Sequence, residues 1–189
     1  SERTMCTFLG TAGKIDHNDV KEDDIKNTEI IFLEGYLWDE GNPKKAFDKA
    51  IANSRSVAMS LSDLFCVERH KKHFLELVKT KLDIVFANEQ EIMSLIDAKT
   101  FSEAISFSKD IKKNIIITRG EKGAVSINKD EVVEIDAQTN LEIKDLTGAG
   151  DLFAAGYLHG IINNYSIKES LVKGTELSSK IIQKIGARI

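Results

Sequence analysis

Apolar positions along this chain fall into two alternating registers. Short aliphatic runs, Ile30 to Leu33, Val57 to Leu61, Ile84 to Ala87 and Ile115 to Thr118, are separated by stretches in which apolar residues recur every three or four positions. Ala46, Phe47, Ala50 and Ile51 share one face of a helix predicted over Pro43 to Ser54, and Phe74, Leu75 and Val78 mark another over Val67 to Lys79. Further helices are expected near Glu91 to Ile96 and over Phe101 to Ser108. Strands alternating with helices of this length predict an α/β protein, a mostly parallel sheet with helices on both faces. After Thr118 the pattern changes. Ala124 to Ile127 and Glu131 to Ile135 read as hairpin strands joined by Asn128-Lys129-Asp130, and the remainder reads as helix, Ala149 to Asn163 and Ile167 to Ile185.

With 189 residues, 42% of them hydrophobic, and one proline, the chain is long enough for one sizeable core, and a single domain over 1–189 is expected. A net charge of −4 with both signs interspersed argues against a nucleic-acid face and gives no attraction to an anionic membrane. No apolar run approaches the roughly 20 residues of a membrane span. Cys6 and Cys66, far apart and too few for a disulfide framework, suit a reducing cytoplasm.

The densest chemistry lies in Asp145-Leu146-Thr147-Gly148-Ala149-Gly150-Asp151, where two carboxylates flank a turn nearly free of side chains at the mouth of an apolar helix. Gly148, Ala149 and Gly150 let backbone N–H groups approach a ligand closely, and the first-turn amides and dipole of the helix favour an anion. Phosphate is the natural guest. Asp151 in that turn is placed to take a proton from an attacking hydroxyl, or it merely offsets the helix dipole, as acidic first-turn residues often do.

This stretch resembles the second signature of the ribokinase-like carbohydrate kinases, the pfkB family, whose Asp-Thr-Thr-Gly-Ala-Gly-Asp pattern it follows except at Leu146. The resemblance implies a three-layer, Rossmann-like fold and ATP-dependent transfer of a γ-phosphoryl group. Gly148, Ala149 and Gly150 become the anion hole, Asp151 the base, and Asp145 and Thr147 neighbours of the metal and triphosphate. Asn88-Glu89-Gln90-Glu91 is similar to the family's Asn-x-x-Glu motif, in which Asn88 and Glu91 would organise magnesium and its waters. The same spacing is also a capping box. Thr118-Arg119-Gly120-Glu121-Lys122-Gly123 resembles the Thr-x-Gly-x-x-Gly nucleotide element, placing Thr118 and Gly120 along the ATP phosphates, while a plain hairpin explains Gly123 equally well. Asn88, Thr118 and Asp145 all follow strands, and ligands of open α/β sheets gather at strand carboxyl ends, so one pocket is expected to hold all three motifs.

The chain looks like the C-terminal part of a family member, with Ser1 to Gly10 resembling a strand from the middle of the large domain and the lid and first strands missing. Glu34 to Asp39 and Leu61 to His70 resemble a bacterial subgroup of adenosine kinase-like sugar kinases, which makes adenosine the preferred acceptor, a sugar the alternative, and a non-catalytic nucleotide-binding module the rival. Expected partners are a small nucleoside or sugar and a second copy in a homodimer, with no nucleic acid and no membrane. Tyr36 and Trp38 suit packing more than stacking on a base. Arg3 is placed either on the nucleotide phosphates or in a surface ion pair. His70 and His73 stand at metal-ligand spacing, yet with Arg69, Lys71 and Lys72 beside them and no third ligand they read as a solvated basic face. Gly186 is expected to cap the last helix, with Arg188 near its end. No Gly-x-Gly-x-x-Gly follows an early strand and no Gly-Lys-Ser/Thr is present, which disfavours a dinucleotide dehydrogenase and a Walker-type NTPase.

Overall fold

A computed structural model describes Cys6, residues 8–38 and residues 43–189. Arg3, Asp39 and most of the strand expected at the start of the chain lie outside the described residues. The chain forms two compact units, Phe8–Ile116 with Ile127–Asp130, and Ile117–Ser126 with Glu131–Ile189.

The first unit runs through α1 (Glu22–Lys26), β1 (Ile31–Glu34), a 3₁₀ turn at Gly35–Trp38, α2 (Pro43–Asn53), β2 (Val57–Ser60), α3 (Leu64–Thr80), β3 (Ile84–Asn88), α4 (Glu89–Leu95) and α5 (Phe101–Ile111). It ends within β4 (Asn114–Thr118). β1, β2 and β3 pair in parallel, Leu33 opposite Met59 and Met59 opposite Val85. Val57, Ala58 and Met59 are buried consecutively, as are Ile84 to Ala87, the continuous burial that parallel strands acquire when helices cover them.

α3 starts three residues before its apolar periodicity does, because the Asp63 carboxylate accepts the Cys66 N–H at 2.7 Å and fixes the first turn there. Cys66 is buried in that turn, and its thiol donates to the Gly35 carbonyl at 3.1 Å. The helix kinks at His70 (φ −114°, ψ 18°). There the imidazoles of His70 and His73 lie against the Trp38 ring, which also packs on Phe47 and Phe74. His73 stays exposed, as expected of a solvated basic face, while His70 is half-buried against the aromatic rings, and Trp38 is a packing residue as anticipated.

The second unit takes the end of β4, a 3₁₀ turn at Gly120–Lys122, β5 (Ala124–Ile127) up to Ser126, β6 (Val132–Ile135), α6 (Ala149–Ile162) and α7 (Ile167–Ile181). The six strands follow chain order in one sheet. β4, β5 and β6 are joined by connections too short for a parallel crossover, so these neighbours are hairpins and the sheet is mixed. α7 ends at Ile181, four residues before the expected Ile185, with Ile182 rather than Gly186 at its C-cap.

α6 and α7 touch backbone to backbone. A Cβ on Gly156 would lie 2.7 Å from the Lys173 carbonyl oxygen and 2.8 Å from Gly174 Cα, and one on Gly160 would lie 2.5 Å from Ser170 Oγ and 2.9 Å from Ser170 Cα. Neither distance is tolerated by a real side chain, so the helices have to separate to admit one. Gly160→Ala is expected to destabilise the protein by about 1–3 kcal/mol through overpacking, although alanine is the better helix former by roughly 1 kcal/mol. Urea unfolding measures it; an unchanged or raised midpoint would mean the two helices part without cost.

Candidate active site

In the second unit, the turn entering α6 is held from behind. The N–H groups of Lys144 and Asp145 both donate to the Ile182 carbonyl, at 2.8 and 3.2 Å. Asp145 Oδ1 accepts the Thr147 N–H at 2.9 Å and the Thr147 hydroxyl at 2.7 Å, curling the chain back on itself as an Asx turn does. Asp145 Oδ2 accepts the Gly186 N–H at 3.0 Å. Gly186 therefore does not cap α7; it sits at φ +91° and anchors the segment after α7 to the turn.

Gly148 adopts φ +80°, where glycine is nearly free of strain, and a Cβ there would press on Ala187 at 3.2 Å. The Ala149 N–H closes the turn on the Leu146 carbonyl at 3.2 Å, and the Gly148 carbonyl accepts the Leu152 N–H at 2.9 Å. Among the described residues, the amides of Gly148, Gly150 and Asp151 have no hydrogen-bond partner. A Cβ at Gly150 would meet nothing within 4 Å, so space lies open in front of it. Asp151, in the first turn of α6, is exposed. The turn thus offers an anion the free donors expected at a helix start, with Ala149 shaping the loop rather than donating outward.

Thr118 ends β4, and Gly120 follows at φ +58° with nothing within 4 Å of its missing Cβ. Gly123 is structural: at φ +86° a Cβ would lie 1.9 Å from the Ile135 carbonyl oxygen, while its own carbonyl closes the hairpin on the Arg119 N–H at 2.8 Å.

In the first unit, Asn88 and Glu91 form the capping box in full. Asn88 Oδ1 accepts the Glu91 N–H at 2.8 Å, Glu91 Oε2 accepts the Asn88 N–H at 2.9 Å, and Asn88 Nδ2 donates to Glu91 Oε1 at 2.6 Å. Glu91 is 5% exposed, and burial pushes its carboxyl up to about 7; the Asp63 and Glu34 carboxylates push the same way against the Asn88 hydrogen bonds. Ser62, held at φ +74°, donates its hydroxyl to Glu34 at 2.9 Å and accepts the Tyr36 N–H at 3.2 Å. Burial also raises the Tyr36 phenol, with Asp63, Glu91 and Glu34 adding to it.

Sequence reasoning missed Glu34, Ser62 and Asp63 as members of this group. A signal existed: they follow β1 and β2 as Asn88 ends β3, and parallel strands bring their carboxyl ends to one edge.

Among the described residues, no three His, Cys, Asp or Glu side chains gather to hold a metal. Magnesium keeps several of its waters and takes one or two carboxylates. The oxygen donors of Asn88 and Glu91 fit that demand through water, since both Glu91 oxygens already receive Asn88 donors.

The profile of the pfkB family carbohydrate kinases matches residues 1–189. The crystal structure of adenosine kinase from Sinorhizobium meliloti superposes with a TM-score of 0.90 at 36% identity, covering 94% of this chain and 56% of that one. A probable sugar kinase from Rhizobium etli superposes with a TM-score of 0.87, also at 36% identity, covering 92% and 54%. The adenosine kinase of Schizophyllum commune is 25% identical over 98% of this chain and 60% of its own length. The chain thus spans a little over half the length of these relatives and belongs to the pfkB carbohydrate kinase family, with the ribokinase-like α/β fold. No helix among the described residues is long and apolar enough to cross a membrane.

Because the folded Glu91 value is raised, its stabilising contribution is complete below the ordinary 4.5 and is lost as pH rises through about 7. The stability of the wild type relative to Glu91→Gln is expected to fall across that window, read by denaturant unfolding at a series of pH values. A difference that does not vary with pH would place Glu91 in a more watery setting than this.

Proposed function

We propose that the protein is an ATP-dependent kinase that moves the γ-phosphoryl group to a primary hydroxyl of a nucleoside, adenosine in preference. The observation that carries this reading is the helix entrance at α6: the unpartnered Gly148, Gly150 and Asp151 amides and the exposed Asp151 carboxylate share one turn, with open space before Gly150.

In this reading the Gly148 and Gly150 amides face the charge that builds on the transferred phosphoryl. Phosphoryl transfer asks mainly for positioning and charge stabilisation, and fixed backbone donors supply both without reorganising. Asp151 holds the acceptor hydroxyl and takes its proton as the new O–P bond forms. Its exposure in the first helical turn leaves the carboxylate open to an incoming hydroxyl. Thr118 and Gly120 lie along the nucleotide phosphates, where the space beside Gly120 admits an oxygen close to backbone. In the first unit, Asn88 and Glu91 would hold waters of a magnesium ion, which when bound would supply positive charge to the nucleotide phosphates. A cytoplasmic location belongs to the same reading and is in keeping with a chain of two cysteines, too few for a disulfide framework.

The adenosine preference is supported by the Sinorhizobium and Schizophyllum relatives, both adenosine kinases. A sugar acceptor is the second reading, favoured by the Rhizobium protein at the same identity. ATP consumption by the full-length protein against adenosine, inosine, ribose and fructose separates them, and nucleotide binding without phosphorylation of any acceptor would indicate a binding module instead. Asp151→Asn is expected to lower kcat by at least ~100-fold with little change in ATP affinity. Near-normal turnover in that variant would remove Asp151 from the chemistry.

A further inference from the structure

The segment after α7 is bound to the turn entering α6 at several points, one of them through the Asp145 side chain. Backbone N–H groups of Lys144 and Asp145 hold the Ile182 carbonyl, the Asp145 carboxylate holds the Gly186 N–H, and Ala187 rests against Gly148. We propose that Asp145 is a positioning residue: by gripping Gly186 it keeps Ala187 as the wall behind Gly148 and so fixes the direction in which the Gly148 and Gly150 amides face their anion. The inference rests on the proposed function in taking those amides as the phosphoryl site.

Three observations support it. Asp145 is only partly exposed, and each of its oxygens already accepts a backbone N–H, so its charge serves internal bonds of the stronger, charge-assisted kind. The grip spans residues far apart in sequence and ends on a glycine at positive φ, five residues beyond the end of α7. A Cβ on Gly148 would lie only 3.2 Å from Ala187, so the returning segment stands directly against the residue whose amide begins the hole and leaves no room there for a side chain. Thr147 belongs to the same device from the other side, since its amide and hydroxyl both bind the oxygen that does not hold Gly186.

The test is Asp145→Asn in the full-length protein, with Asp145→Glu as a second variant that keeps the charge and moves the acceptor. An amide side chain cannot accept with both ends, so one of the Thr147 and Gly186 donors loses its partner. Exchange of the Gly186 amide, followed by NMR, is expected to quicken at least tenfold in Asp145→Asn and less in Asp145→Glu. kcat falls about 10–100-fold while the Kd for magnesium-ATP moves less than about threefold, because mis-aimed donors weaken the transition state more than ground-state binding. Thr147→Val leaves Gly186 exchange at the wild-type rate. A Kd raised tenfold or more would overturn the proposal, since it puts the carboxylate on the ligand itself, and so would unchanged Gly186 exchange in Asp145→Asn. Failure of the kinase reading shows separately, as a wild type that phosphorylates no acceptor, and the exchange measurement can still be read in that case.

Discussion

The turn that enters α6 stands on the close contact between α6 and α7. Gly156 and Gly160 bring α6 against Gly174 and Ser170 with only the small Ser170 side chain at the crossing, and this leaves the two helices almost no freedom to slide or spread. The start of α6 carries the free amides, and the chain leaving α7 returns to Asp145 and Gly148. A fixed helix pair therefore sets where the returning segment can reach. Packed interiors transmit small displacements rather than absorbing them, so a methyl group placed between the helices is felt a full helix length away, at the donors themselves.

The first unit is organised by a different force. Glu34, Asp63 and Glu91 stand near one another where β1, β2 and β3 end, and burial makes their mutual repulsion costly. The protein accommodates it locally: Ser62 binds Glu34, Asp63 caps α3, and Glu91 is tied to Asn88. The price is a serine held at positive φ and a carboxyl raised well into the neutral range.

Much of this was legible from residues alone, for identifiable reasons. The strands of the first unit are continuous apolar runs, and its helices carry three-and-four spacing, so both periods stand out. The Asn88 and Glu91 cap was readable because the two halves of the box lie three residues apart. What escaped were features made by contacts distant in sequence. α3 begins early because Asp63 caps it, a polar residue outside any apolar period. α7 ends early because Ile182 has to present its carbonyl to Lys144 and Asp145. Gly186 looked like a helix cap since glycine near a helix end usually is one, and only the fold reveals that its partner lies 41 positions back. His73 is exposed as its basic neighbours suggest, but nothing in the local sequence announces that Trp38 would meet its ring and that of half-buried His70.

The two thiols differ in a way that turns the chain into its own stopwatch. Cys6 is exposed, whereas Cys66 is sealed in the first turn of α3 with its hydrogen aimed at the Gly35 carbonyl. An alkylating reagent meets the former at the rate of a free thiol and the latter only when that turn lifts away. The slow phase of such labelling counts openings of the strand-end edge where Glu34, Ser62 and Asp63 lie, with no dye, tag or substituted residue needed to see them.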